Sequence, residues 1–157
     1  MNIRKATLDD YAGILELYSE LDELHRSNHT ELFIQPEGPS RSIEYITDLV
    51  HGNDKALFVA EEDSQIIGLA ECLIMRSPSF PVIKKREWVQ LDSIAVRHDY
   101  QQRNIGSSLL DVVIQWAQSM NIDRIEAKVY SFNTNALEFY NKNDFKDLAK
   151  IMYLNLE

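Results

Sequence analysis

The chain has 157 residues, 45% of them hydrophobic, and a formal net charge of −9. That is enough apolar material for one core, so residues 1–157 are expected to form a single domain. An acidic balance argues against nucleic-acid binding, which needs a basic patch. No stretch reaches the ~18 apolar residues of a membrane span.

The opening Met1-Asn2-Ile3-Arg4-Lys5 lacks the apolar core of a secretory leader. Ile3 to Ala6 reads as a first strand. Thr7-Leu8-Asp9-Asp10 has the spacing of a capping box. Tyr11, Ile14, Leu15, Tyr18, Leu21 and Leu24 recur at helical spacing, which predicts a helix from about Leu8 to His25. Arg26 to Ser40 is polar and broken by Pro36, Gly38 and Pro39. A second helix is predicted over Arg41 to His51.

Leu57 to Ala60 and Gln65 to Met75 read as strands joined by a polar turn. Gly68 inside the second suggests a bulge or close backbone packing. Arg76 to Arg86, with Pro78 and Pro81, reads as an exposed hairpin connection, and Glu87 to Val96 as the next strand. A helix follows, expected to bury Ile105, Leu109, Val113, Trp116, Ala117 and Met120. Arg124 to Tyr130 is predicted as a strand, Thr134 to Lys142 as a short helix, and Phe145 onward as one or two terminal strands. The order β-α-α-β-β-β-α-β-α-β gives a mixed α/β sheet. Cys72 is the single cysteine and lies in an apolar run, so it reads as a structural thiol in a reducing, cytoplasmic setting.

Leu91 to Leu110 is the most informative segment: Leu-Asp-Ser-Ile-Ala-Val-Arg-His-Asp-Tyr-Gln-Gln-Arg-Asn-Ile-Gly-Ser-Ser-Leu-Leu. A strand ends at Val96, a polar turn follows, and a helix opens directly from the turn. The first N–H groups of a helix have no partner inside it, and with the helix dipole they suit a phosphate anion. There is no Gly-x-x-x-x-Gly-Lys-Ser/Thr and no Gly-x-Gly-x-x-Gly, which argues against a nucleoside triphosphatase or a dinucleotide fold. The turn instead resembles the acetyl-CoA-binding motif of the GNAT superfamily of N-acetyltransferases, Gln/Arg-x-x-Gly-x-Gly/Ala after Val-x-Pro. Gln101 and Gly106 match, Asn104 stands where the first Gly is usual, and His98 where Pro is usual. Asn is the residue that best replaces Gly at positive φ. Asn133 to Phe145 resembles the family's later motif, Asn-x-x-Ala-x-x-Phe-Tyr-x-x-x-Gly-Phe, with Asp144 in place of its Gly.

The resemblance implies a mixed, mostly antiparallel sheet flanked by helices, with a V-shaped splay where acetyl-CoA binds. It implies that main-chain groups of Ile94, Ala95 and Val96 pair with the pantetheine arm. Gln101, Gln102, Arg103, Asn104, Ile105, Gly106 and Ser107 would wrap the pyrophosphate, with Arg103 supplying charge. Asn133 and Ala136 would line the arm. Tyr140 matches the family's proton donor to the departing sulfur; its bland alternative is a packed core ring. The base is open between Asp92, an acid inside an apolar strand, and Glu71, between Ala70 and Cys72. Asp92 is preferred, sharing a face with Trp88, Gln90 and Ile94 on ideal alternation; a water chain could also carry the proton. His25 and His29 read as loop histidines, and nothing completes a ligand pattern around them, so no metal is expected.

The function implied is acetyl transfer from acetyl-CoA to a primary amine, on a small molecule or a peptide, by direct attack in a ternary complex. The alternative is a non-catalytic acyl-CoA sensor of the same fold. The exposed hairpin and terminal strand leave room for a homodimer.

Overall fold

The computed structural model describes residues 1–157. Five strands form one sheet in the order β1-β2-β3-β4-β5: β1 (Asn2–Lys5), β2 (Lys55–Glu62), β3 (Gln65–Arg76), β4 (Glu87–Val96) and β5 (Ile125–Ala127). The first four are antiparallel neighbours, and β5 joins β4 in parallel. Helices α1 (Tyr11–Asn28) and α2 (Ile43–His51) cover one face. Helix α3 (Ile105–Ser119) covers the other, and α4 (Thr134–Lys142) adds to that side. This is the mixed, mostly antiparallel architecture expected. No helix is long and apolar enough to cross a membrane.

Two hydrophobic clusters hold the layers together. On one face, Ile14, Leu17 and Tyr18 of α1 and Ile46 and Leu49 of α2 pack on Leu57, Val59 and Leu69. On the other, Ile105, Leu109, Leu110, Val113, Trp116 and Ala117 of α3 pack on Ala70, Cys72, Val89 and Leu91. Six buried side chains at about 1.5–3 kcal/mol each put the gross drive for docking α3 on the order of 10 kcal/mol. Met120, expected inside, is 38% exposed because the helix has ended before it. Cys72 is fully buried, and burial raises its thiol pKa, as suits a structural role.

Two bulges break the alternation of the sheet. On β3, Ala60 pairs with Gly68 and Glu61 with Ile66, so Ile67 is an extra residue. A Cβ on Gly68 would sit 3.0 Å from Leu109 Cδ1 and 3.2 Å from the Ala95 carbonyl oxygen, so this glycine marks both bulge and close packing. On β4, Ser93 faces Glu71 and Leu91 faces Cys72, which makes Asp92 the extra residue. Val89 and Leu91 point to the α3 side, and beyond the bulge Ile94 and Val96 do so as well. The expected common face of Trp88, Gln90, Asp92 and Ile94 is therefore wrong: inserting one residue reverses the parity of everything after it.

Two other expectations fail. The strand predicted over Arg124 to Tyr130 shrinks to Ile125–Ala127, and Phe145 onward forms no strand in this chain. A strand needs a neighbour to supply its hydrogen bonds, and residues 146–157 have none.

Candidate active site

The sheet opens where β5 stops. The parallel pairing covers only Val89–Leu91 against Ile125–Ala127. Past the bulge, β4 has β3 on one edge and no strand on the other. Arg97 donates its N–H to the Ile67 carbonyl on β3 at 2.9 Å. Main-chain groups alternate in direction along a strand, so those of Val96 and Ile94 face the gap and those of Ala95 face β3. Gln101 turns back and donates its side-chain amide to the Val96 carbonyl at 3.1 Å.

The chain then enters a polar turn. One 3₁₀ turn, His98–Tyr100, leads to Gln102 and Asn104, both left-handed at φ 63° and 60°. Asn104 thus takes the conformation in which Gly is usual. Helix α3 begins with Ser108 N–H donating to the Asn104 carbonyl at 3.0 Å. The amides of Ile105, Gly106 and Ser107 have no acceptor within the helix, and the Asn104 side chain does not cap them. These N–H groups make an anion-binding cradle beside the open edge of β4.

Arg103 is turned elsewhere. Its guanidinium pairs with Glu62 at 2.9 Å and lies over the Tyr100 ring at 5.1 Å, so its charge is partly neutralised by the last residue of β2. Gly106 is needed for packing rather than for φ: a Cβ there would meet the Phe139 ring at 3.2 Å.

Helix α4 brings the second motif against the first. Asn133 caps it, its side-chain oxygen accepting the Ala136 N–H at 3.1 Å. Asp144 is left-handed at φ 63°, and Phe145 N–H closes back on the Tyr140 carbonyl at 3.0 Å. Tyr140 packs edge-on between Phe139 and Phe145, with ring centroids 5.3 and 4.9 Å away. Only 8% of it is exposed, and burial raises its pKa. Its hydroxyl makes no hydrogen bond within the chain. No buried polar side-chain atom is left unpartnered, so the hydroxyl is the part that reaches solvent.

On the opposite face, Glu71 is 1% exposed and sits under α1 and α2. Both of its oxygens are used: Tyr18 donates to one at 2.5 Å, and Tyr45 donates to the other. Arg41 stacks over the Tyr18 ring at 4.2 Å and is held by Asp22 at 2.8 Å. Asp92 is exposed at the bulge, close enough for its charge to help raise the Tyr45 pKa, after burial and Glu71. His25 and His29 gather with Phe33, Tyr130 and Phe132 in an aromatic cluster. His25 Nδ1 donates to the Leu21 carbonyl at 2.8 Å.

A model of the acetyltransferase (GNAT) family matches residues 15–145. The chain belongs to that family. It is 26% identical over 145 residues to the uncharacterized N-acetyltransferase MJ1207 of Methanocaldococcus jannaschii; the match covers 92% of this chain and 60% of that protein. Its fold is similar to the tetramutant of the BH1408 protein from Bacillus halodurans, with a TM-score of 0.92, 25% identity, and 99% and 100% of the two chains covered. It also shares the fold of the aminoglycoside N-acetyltransferase AAC(6')-Iy, solved in complex with CoA, with a TM-score of 0.74, 16% identity, and 99% of each chain covered.

Within this GNAT fold, main-chain groups of Ile94 and Val96 and the amides of Ile105, Gly106 and Ser107 border one opening, whereas those of Ala95 face β3 and Arg103 is turned to Glu62. The α4 residues Ala136 and Tyr140 lie on the same side of the sheet, packed against the α3 core. Asp92 and Glu71 belong to the α1–α2 side. Sequence reasoning missed Tyr45 and Arg41 as neighbours of Glu71, and it missed the latch from Gln101. An aromatic ring on a helix and an arginine before it carry no periodic signal of such a contact. The paired acid on β3 was the only hint.

Proposed function

We propose that this chain moves an acetyl group from acetyl-CoA to a primary amine by direct attack in a ternary complex. One observation carries the reading: the unpaired edge of β4 lies next to the uncapped amides that open α3. Family membership and the shared fold of the CoA-bound aminoglycoside enzyme support it.

The residues divide the work by position. The amides of Ile105, Gly106 and Ser107 hold the diphosphate, and the β4 edge at Ile94 and Val96 pairs with the pantetheine amides. Gln101 releases the Val96 carbonyl, or shares it, as that pairing forms. Acetyl-CoA supplies an activated thioester. The Val96 N–H faces the gap and offers a donor where negative charge develops on the acyl oxygen. Asp92 anchors the incoming ammonium and takes its proton, directly or through water, because only the neutral amine has a lone pair to attack with. Tyr140 gives its proton to the departing sulfur and recovers one from solvent. Glu71, saturated by two phenols, fixes Tyr18 and Tyr45 beside the acceptor.

Small amines and peptide amines both fit this chemistry. Asp92, Asp22 and Glu71 against the single guanidinium of Arg41 leave this side of the sheet net negative, which favours a cationic acceptor. The test is thiol release from acetyl-CoA across a panel of amines. Amine-dependent release is expected. Tight acetyl-CoA binding with no release above hydrolysis would assign a sensor instead.

A further inference from the structure

The carboxylates on the α1–α2 side of the sheet gather toward β3, and toward β5 the charge changes sign. Ile125, Ala127 and Val129 pack on the α3 cluster, so Glu126 and Lys128 between them turn to the α1–α2 side. Trp88 and Gln90 turn the same way, because Val89 and Leu91 are buried against α3. Lys128 is exposed, and Trp88 and Gln90 are half-buried.

Leu91 pairs with Ala127, and Asp92 and Lys128 are the next residue on each strand. Neighbouring strands stand ~4.8 Å apart, so the two side chains leave the sheet side by side. They carry opposite charges and do not pair with each other. The Lys128 Nζ stands instead over the Tyr130 ring at 5.1 Å, and that ring is packed against His25. Two residues back along β5, one carboxylate serves two guanidiniums: Glu126 lies 2.7 Å from both Arg86 and Arg124. Arg86 also lies over the Trp88 ring at 4.0 Å, which fixes its position on this face. With a rise of ~3.3 Å per residue, Glu126 and its guanidiniums sit roughly 8 Å from the Asp92 position. A lone carboxylate thus faces an excess of positive charge across one strand spacing.

We infer that Lys128, with Arg86 behind it, receives a carboxylate carried by the acetyl acceptor. The substrate is then a zwitterion whose ammonium sits at Asp92 and whose carboxylate lies roughly 5–8 Å away, the reach of one strand spacing and two residues. That span belongs to a single small ω-amino acid rather than to a peptide laid along the sheet. The inference rests on Asp92 seating the amine, as in the proposed reaction. An aminocarboxylate satisfies both unpaired charges at once. A diamine of the same length sets its second ammonium against Lys128 and Arg86, and like charges brought together repel.

The test compares three six-carbon amines in the thiol-release assay: aminocaproate, hexylamine and hexamethylenediamine. Aminocaproate is expected to have the highest kcat/KM, roughly tenfold above hexylamine, the low end for a hydrogen bond to a charged group. The diamine is expected to be lowest. Lys128 is exposed, so Lys128→Met and Lys128→Glu leave no buried gap. The ratio of aminocaproate to diamine kcat/KM should fall in Lys128→Met and invert in Lys128→Glu. Equal values for the three amines, or a ratio that Lys128→Glu does not move, overturn the inference and leave the reaction standing. Calorimetric titration of the CoA complex with aminocaproate covers the remaining case. Binding that Lys128→Glu weakens, without turnover, upholds the zwitterion site and removes the reaction. Absence of both turnover and binding overturns the inference.

Discussion

Tyr18 donates its phenol hydrogen to the buried carboxylate of Glu71 at 2.5 Å, linking α1 to the bulged centre of the sheet. The phenol is buried, and burial with the adjacent negative charge raises its pKa, so it stays a donor. Tyr18→Phe leaves one carboxylate oxygen buried without that partner. It is expected to destabilise the fold by about 1–3 kcal/mol in chemical denaturation. Glu71→Ala strands two phenols and costs more. A Tyr18→Phe protein as stable as the parent would show that this contact does not hold α1 to β3.

The Tyr140 hydroxyl has no partner to lose. Tyr140→Phe should leave the denaturation midpoint within about 0.5 kcal/mol of the parent. Turnover in the thiol-release assay should fall roughly 10²-fold or more, the usual scale for a lost general acid. Full activity in the variant would remove the proton-donor assignment.

Asp92 is exposed and unpaired, so Asp92→Asn should fold normally and bind acetyl-CoA as the parent does. Its kcat/KM for amines should drop by about 10². Calorimetric titration with acetyl-CoA separates the two effects. Equal loss of acetyl-CoA affinity would place the residue on the wrong substrate.

Gly106→Val tests packing as well as the cradle. Its side chain meets the Phe139 ring, where even a Cβ stands at 3.2 Å. Overpacking of this kind costs about 1–3 kcal/mol. Thermal unfolding should show the loss, and acetyl-CoA affinity should fall with it because α4 moves. Unchanged stability would mean that Phe139 yields freely.

The acid end of the stability curve depends on Asp10. Hydrogen bonds from Arg4 hold its carboxyl below the ordinary value of 3.8, despite partial burial. A depressed carboxyl stabilises the fold fully above its unfolded pKa, and the contribution is lost as pH falls through the folded value. The parent should therefore lose stability below about pH 4 more steeply than Asp10→Asn. Parallel curves from urea titrations between pH 2 and 6 would rule out the linkage.

Much of this was legible because local chemistry dictated it. The bounds of β4 came directly from its apolar run between Arg86 and Arg97, and the positive φ of Asn104 and Asp144 from the side chains that best tolerate it. What stayed hidden depended on distant partners. Alternation cannot reveal a bulge that only the register against β3 defines, so the face assigned to Asp92 was wrong. The charge of Arg103 was legible, but Glu62 is 41 residues away and claims it. Residues 146–157 have the composition of a strand, and composition does not say whether a neighbour is there to pair with them.

The extra residue at position 92 also makes the facing of β4 depend on its bulge. Deleting it would restore strict alternation with Ile94 and Val96 still toward α3, whereas flattening the bulge with the residue kept would turn them to the opposite layer and carry Ser93 and Ala95 the other way. Every letter from 93 to 96 would then be correct in kind and inverted in orientation. The bulge is thus what lets this strand carry one residue more than its partner and still aim both halves at the same layer.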